Sequence, residues 1–227
     1  LVKTLLSKHP YHTGFPLLSL VNADLDETIN VPMTSRAKRS RTELPADRNA
    51  ARITMARQLF KDVCSINAGS LAGLFGQMQN LARAYIEWAN VDVENKRNAK
   101  GDIPLPSNIS LYRLSRDADR CLNLIPVVTC PPRVDPSGKY HNLVRVTGFA
   151  NTYRLAGGLN LPKIVTALCS DGRRRRQLVK GSDDPRQDAI MQQVRWEGDV
   201  LLPVRRFVHC ELYFTLNHTR ALDTMYN

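Results

Sequence analysis

The sequence predicts an α+β chain in which helices come first and a small antiparallel sheet follows. Three observations carry this expectation. Apolar residues recur at helical spacing through 53–63 and again through 71–89. Short β-rich runs separated by glycine-bearing breaks take over after Val134. Two turn-forming tetrads, Asp135-Pro136-Ser137-Gly138 and Ser170-Asp171-Gly172-Arg173, punctuate that second half. Helices followed by consecutive strands, rather than alternating with them, are the pattern of an α+β arrangement.

Residues 1–28 hold a short apolar stretch, 15–21, entered through His9-Pro10, and read as the tail of a helical region that begins upstream. Residues 31–48 are polar and proline-broken, with the cluster Arg36, Lys38, Arg39 and Arg41. The plainer reading of that cluster is a solvated basic connection; the sharper one is a nuclear-localisation or nucleic-acid patch. In the first predicted helix Asp47 is placed to cap, and Ile53, Leu59, Phe60 and Val63 share a stripe. In the second, Ser70 is placed to cap, and Leu71, Leu74, Phe75, Met78, Leu81, Tyr85 and Ala89 repeat over five turns. That stripe reads as core packing, weakened locally by Gly73 and Gly76. Residues 91–133 carry Pro104, Pro106, Pro126, Pro131 and Pro132, and read as an extended crossing segment with short ordered pieces. The strands are expected at 143–149, 152–155, 164–169 and 177–179.

With 227 residues, 43% of them hydrophobic, 12 Gly and 13 Pro, the chain can bury a core and is neither collagen-like nor wholly disordered. Its apolar runs fall short of the ~18 residues of a membrane span, so no membrane association is expected. The formal charge of +11 suits a phosphate-rich partner without naming one. Five cysteines, odd in number and without a CxxC pair, argue against a disulfide framework or structural zinc and fit a reducing compartment. The chain opens on Leu1 and shows no signal peptide, which suggests a piece of something longer.

Chemistry gathers between residues 155 and 194. Leu155, Ala156, Gly157, Gly158, Leu159, Asn160, Leu161 and Pro162 lie between two predicted strands. Paired glycines let a backbone approach a ligand closely and turn N–H groups toward phosphate oxygens, although a plain hairpin turn explains them as well. No Gly-Lys-Ser/Thr closes the loop, so it is not a Walker A motif. Lys180 ends an apolar strand, where a lysine is either solvated or aimed at nucleotide phosphates. Asp184 can cap a following helix with Pro185 at its first position, and Asp183 or Asp188 could reach back to Lys180.

The stretch RLAGGLNLPKIVTALCSDGRRRRQLVKGSDDPRQDAIMQQV, residues 154–194, closely resembles the start of the catalytic domain in phosphatidylinositol 3-kinase-related protein kinases. Within them it is most similar to the ataxia-telangiectasia mutated (ATM) branch of DNA-damage checkpoint kinases. HPYHTGFPLLSLVNAD from His9 and RAKRSR from Arg36 resemble the end of that family's FAT region and the lead into its catalytic domain, and DPSGKYHNLVRVTGF continues the likeness. The resemblance divides the chain into a FAT end (1–28), a helical and extended connection (29–133), a partial kinase small lobe (134–194, the catalytic domain starting near 149) and an unmatched tail (195–227). It implies a nuclear serine/threonine kinase that passes the γ-phosphate of ATP to protein substrates with Mg²⁺, answers to DNA-break sensor proteins and is a homodimer at full length. Leu155, Ala156, Gly157, Gly158, Leu159, Asn160 and Leu161 match the glycine-rich ATP loop and Lys180 the phosphate-contacting lysine. Asp183 and Asp188 match acids that orient that lysine. Gly172 is expected to be structural, and residues 173–176 to be a solvated strand edge.

The sequence also departs from the family. Pro185 replaces a usual leucine, and RWEGDVLLPVRRFVHCELYFTLNHTRALDTMYN after Val194 does not continue the expected helix, since Gly198 and Pro203 would break it. No Asp-Arg-His catalytic loop, Asp-Leu-Gly metal-binding segment or FATC tail occurs, and His209 and His218 read as incidental. The last 33 residues are therefore expected to come from a read-through intron or shifted frame, and the chain alone is expected to be inactive. The rival expectation is a non-catalytic truncated isoform that acts as an interaction module.

Overall fold

In the computed structural model, residues 1–25, 46–66, 69–117, 122–128, 132–157, 161–181 and 220–224 are described. The chain begins with α1 (Val2–Lys8) and α2 (Pro10–Val21), which Pro10 opens from the first-turn position where its missing N–H costs nothing. Two 21-residue helices follow, α3 (Ala46–Ile66) and α4 (Ser70–Asn90), then the short α5 (Ser110–Arg116). The strands are β1 (Ile103–Pro104), β2 (Val146–Leu155), β3 (Lys163–Cys169), β4 (Arg174–Lys180) and β5 (Arg220–Thr224). They form one antiparallel sheet in chain order, so the α+β expectation holds.

Several details differ from the expectation. α3 begins at Ala46, which puts Asp47 inside the first turn instead of before it. Gly69 occupies the cap position of α4, and Ser70 is its first helical residue, with no side-chain cap bond. The strands expected at 143–149 and 152–155 are one continuous strand, β2. Its register against β3 shifts between Phe149 and Tyr153, so a bulge absorbs the irregularity without ending the strand. β1 and β5 were not expected. The basic cluster at 36–41 lies outside the described residues.

α4 is the hub. Beyond the predicted stripe, its Ala82, Ala84, Ile86 and Trp88 are also buried, because helices pack on one side of it and the sheet on the other. Gly14 of α2 lies where an added Cβ would come within 2.9 Å of Met78 Sδ and 3.2 Å of Phe75, so the two helices approach closely there. Toward the sheet, Tyr85 meets Phe149 edge-on at 6.1 Å and Trp88 meets Tyr153 at 4.8 Å. The Tyr85 hydroxyl donates to the side-chain oxygen of Gln177, a fully buried residue of β4. Tyr140 fastens the segment before β2 to the α1–α2 junction, its hydroxyl 2.5 Å from His9 Nδ1 and its ring edge-on to Tyr11. No helix among the described residues is long and apolar enough to cross a membrane.

Candidate functional site

Strand alternation sorts the sheet into two faces. Lys163, Val165, Ala167 and Cys169 of β3 and Arg175, Gln177 and Val179 of β4 are buried on the α4 side. Ile164, Thr166 and Leu168, with Arg176, Leu178 and Lys180, stand half-buried on the opposite face. Lys180 therefore points away from α4.

Register then fixes which candidate residues share an end of the sheet. Leu155 pairs with Lys163, and Lys163 pairs with Val179, so the last residue of β2, the first of β3 and the last two of β4 lie in a row. The loop from Gly157 to Leu161 leaves from this end and is closed by the Ala156 N–H donating to the Pro162 carbonyl at 2.8 Å. Gly157 is exposed, and nothing lies within 4 Å of where its Cβ would be. Leu161 is 5% exposed and holds φ at +42°, a conformation unfavourable for a bulky residue and kept here by its burial in the core. Leu155, Ala156, Gly157, Leu161 and Lys180 thus converge on one end of the sheet. Gly158, Leu159, Asn160, Asp183 and Asp188 lie outside the described residues.

The other hairpin sits at the far end. Gly172, at φ +76°, donates its N–H to the Cys169 carbonyl at 2.9 Å, which is the structural role expected of it. The expectation of a solvated arginine run fails at one position. Arg173 and Arg174 are exposed, but Arg175 is only 7% exposed and both its terminal nitrogens donate to Asp171, at 2.9 and 2.7 Å. The turn folds the carboxylate back over the inward face, where the alternation of β4 has already placed Arg175. That guanidinium holds the Asp171 carboxyl down at about 2.

A residue that sequence reasoning missed is Lys163. It is 5% exposed, its Nζ donates to the Ala89 carbonyl of α4 at 2.7 Å, and Nζ lies 5.5 Å from the centre of the Trp88 ring. Burial pushes its ammonium down to about 8, with Asp92 opposing the shift. A cleft of about 490 Å³ lined by Ser115, Arg116, Asn151 and Arg174 lies at the opposite end of the sheet from Lys180.

A helical layer packed on an antiparallel sheet is a fold that this chain shares with the solved structure of a kinase region. The chain is homologous to the ATM/Tel1 kinases over most of its length. It is 37% identical over 194 residues to the serine-protein kinase ATM of Sus scrofa, a match that covers 86% of this chain. To the serine/threonine-protein kinase ATM of Drosophila melanogaster it is 34% identical over 186 residues. The chain spans about 6% of the length of these curated relatives. Among solved structures it resembles the FAT and kinase domain of CtTel1, with a TM-score of 0.71 and 22% identity, covering 100% of this chain and 15% of that one. It also resembles the complete CtTel1 dimer with C2 symmetry, again with a TM-score of 0.71. No family model matches the chain.

Proposed function

We propose that this chain supplies the ATP-gripping part of a DNA-damage serine/threonine protein kinase. Residues 155–161 form the loop over the phosphates, and Lys180 is the cation that meets them. The observation that carries this reading is the register Leu155–Lys163–Val179, which brings the closed loop and Lys180 to one end of the sheet, with Lys180 on the face turned from α4. The fit to phosphate rests on Gly157, where nothing lies within 4 Å of an added Cβ, and on Lys180 at the same end of the sheet.

Within this reading each of the chain's own groups has a task. Loop N–H groups orient the phosphates, Lys180 balances their charge, and the half-buried Ile164 and Leu178 offer an apolar floor to the base. Asp183 and Asp188 hold Lys180 in position. Mg²⁺ would supply positive charge that offsets the charge developing on the transferred phosphate. Among the described residues no cluster of acids, histidines or cysteines could hold that metal. Turnover is assigned to the full-length kinase, acting on protein substrates in the nucleus, as a homodimer like that of CtTel1 and under the control of DNA-break sensors. The division into FAT end, connection and partial small lobe at 28, 133 and 194 belongs to the same proposal.

Lys180→Ala in the full-length kinase tests it. Turnover should be lost while the fold persists, because the side chain faces away from the helical core; unchanged turnover would refute the assignment. The lack of an Asp-Arg-His loop in this sequence favours a second reading for the chain on its own, a non-catalytic interaction module. Phosphorylation of a peptide by the isolated chain with Mg-ATP would exclude that reading.

A further inference from the structure

We propose that the carboxyl end of α4 is a positioning device for the nucleotide site, and that Lys163 is its positioning residue. The inference rests on the nucleotide reading above and adds to it the regulation of that site by the helical layer. Two contacts meet on one carbonyl. Lys163 Nζ donates to Ala89 O at 2.7 Å, and Gly181 packs so closely on the same oxygen that a Cβ there would overlap it. Lys163 is the first residue of β3, one position past the loop-closing Pro162, and Gly181 immediately follows Lys180. The two parts of the phosphate grip, loop and lysine, are therefore registered against each other through Ala89.

The chemistry of the helix end suits this role. The last turn of α4 carries no basic residue of its own; the Val91 N–H and the Asn90 amide cap the Trp88 and Ile86 carbonyls, but no cation from the helix itself meets the partial negative charge at its end. Lys163 supplies the missing cation from the sheet, steadied by the face of Trp88 at 5.5 Å. Elsewhere along its length α4 is wedged among α2, α3 and the core, with Leu74, Phe75 and Met78 buried. A displacement of the helical layer thus reaches the ATP loop and Lys180 together.

The test uses the full-length kinase carrying Lys163→Met, Lys163→Gln or Gly181→Ala, with ATP and a peptide substrate varied separately. Lys163→Met should raise the KM for ATP by about 5-fold or more while leaving the peptide KM within about 2-fold. Lys163→Gln, which keeps an N–H donor, should fall between Met and wild type, and Gly181→Ala should reproduce the ATP-selective defect from the other side of the carbonyl. Unchanged ATP KM in folded Lys163→Met, an equal loss on both substrates, or insolubility of both Lys163 variants would overturn the proposal in favour of a purely structural lysine. Lys180→Ala run in parallel separates the two claims: full turnover in that variant defeats the nucleotide reading itself, whatever Lys163 does.

Discussion

Arg175 lies beneath the sheet at 7% exposure with its two terminal nitrogens on the Asp171 carboxylate, which is itself 26% exposed. Asp171→Asn would leave that buried guanidinium without its counter-ion. The expected cost is on the order of 2 kcal/mol, read from urea unfolding of this chain. Because folding depresses the Asp171 carboxyl to about 2, its contribution is present above roughly pH 4 and is lost as pH falls from there toward 2. The variant should flatten that acid limb. Lys163 works in the opposite pH range. Its folded value of about 8 lies below the ~10.4 of an unfolded lysine, so between those values the unfolded chain binds the extra proton and stability rises with pH. Lys163→Met should remove that alkaline rise, as unfolding midpoints from pH 8 to 10 would reveal. Neither residue was legible beforehand. Arg175 sits in a run of four arginines whose outward and inward members look alike in sequence, and β3 carries apolar residues at both sets of alternating positions, so nothing marked Lys163 as inward.

Helix α4 was read well because its stripe is long and strongly periodic; its start was missed by one residue because Gly69 and Ser70 are both acceptable caps. The predicted helix before it was likewise recovered, with Ile53 and Val63 buried as expected. The sheet was less legible. The bulge in β2 interrupts the period-2 signal and splits one strand into two apparent ones. The two-residue β1, half of it proline, carries no strand pattern at all; an edge strand tolerates Pro104 because an edge can leave one N–H position unpaired. Two glycines in the helices should respond oppositely to enlargement. Nothing lies within 4 Å of a Cβ at Gly76 of α4, so Gly76→Ala should stabilise the chain by about 1 kcal/mol, through helix propensity and a less flexible unfolded state. At Gly14 the facing Met78 and Phe75 are fully buried, and Gly14→Val should cost about 2 kcal/mol by overpacking the α2–α4 contact. Thermal melts of the two variants against wild type would check both signs.

One hydrophobic core runs through the described residues, from Leu6 and Phe15 in the first helices to Val165 and Val179 in the sheet. With no break between helical and sheet halves, unfolding should be a single transition. Trp88, fully buried between α4 and Tyr153, reports the seam directly in a Trp196→Phe background. Its fluorescence and the far-ultraviolet circular dichroism should change at the same denaturant concentration; separated midpoints would show that the halves unfold independently. The general outline of this molecule was available from its sequence because helices and turns are local signals, whereas the seam was not, since it joins residues far apart in the chain. That separation has a consequence on the ribosome. Tyr85 must find Gln177, 92 positions later, and Ala89 must find Lys163, 74 positions later. At ordinary elongation speeds the sheet-facing side of α4 stays uncovered for roughly 5–20 s after its synthesis. During that interval Trp88 and its neighbours form an adhesive surface, so a nascent chain stalled before β3 and β4 should be a client for hydrophobic-binding chaperones.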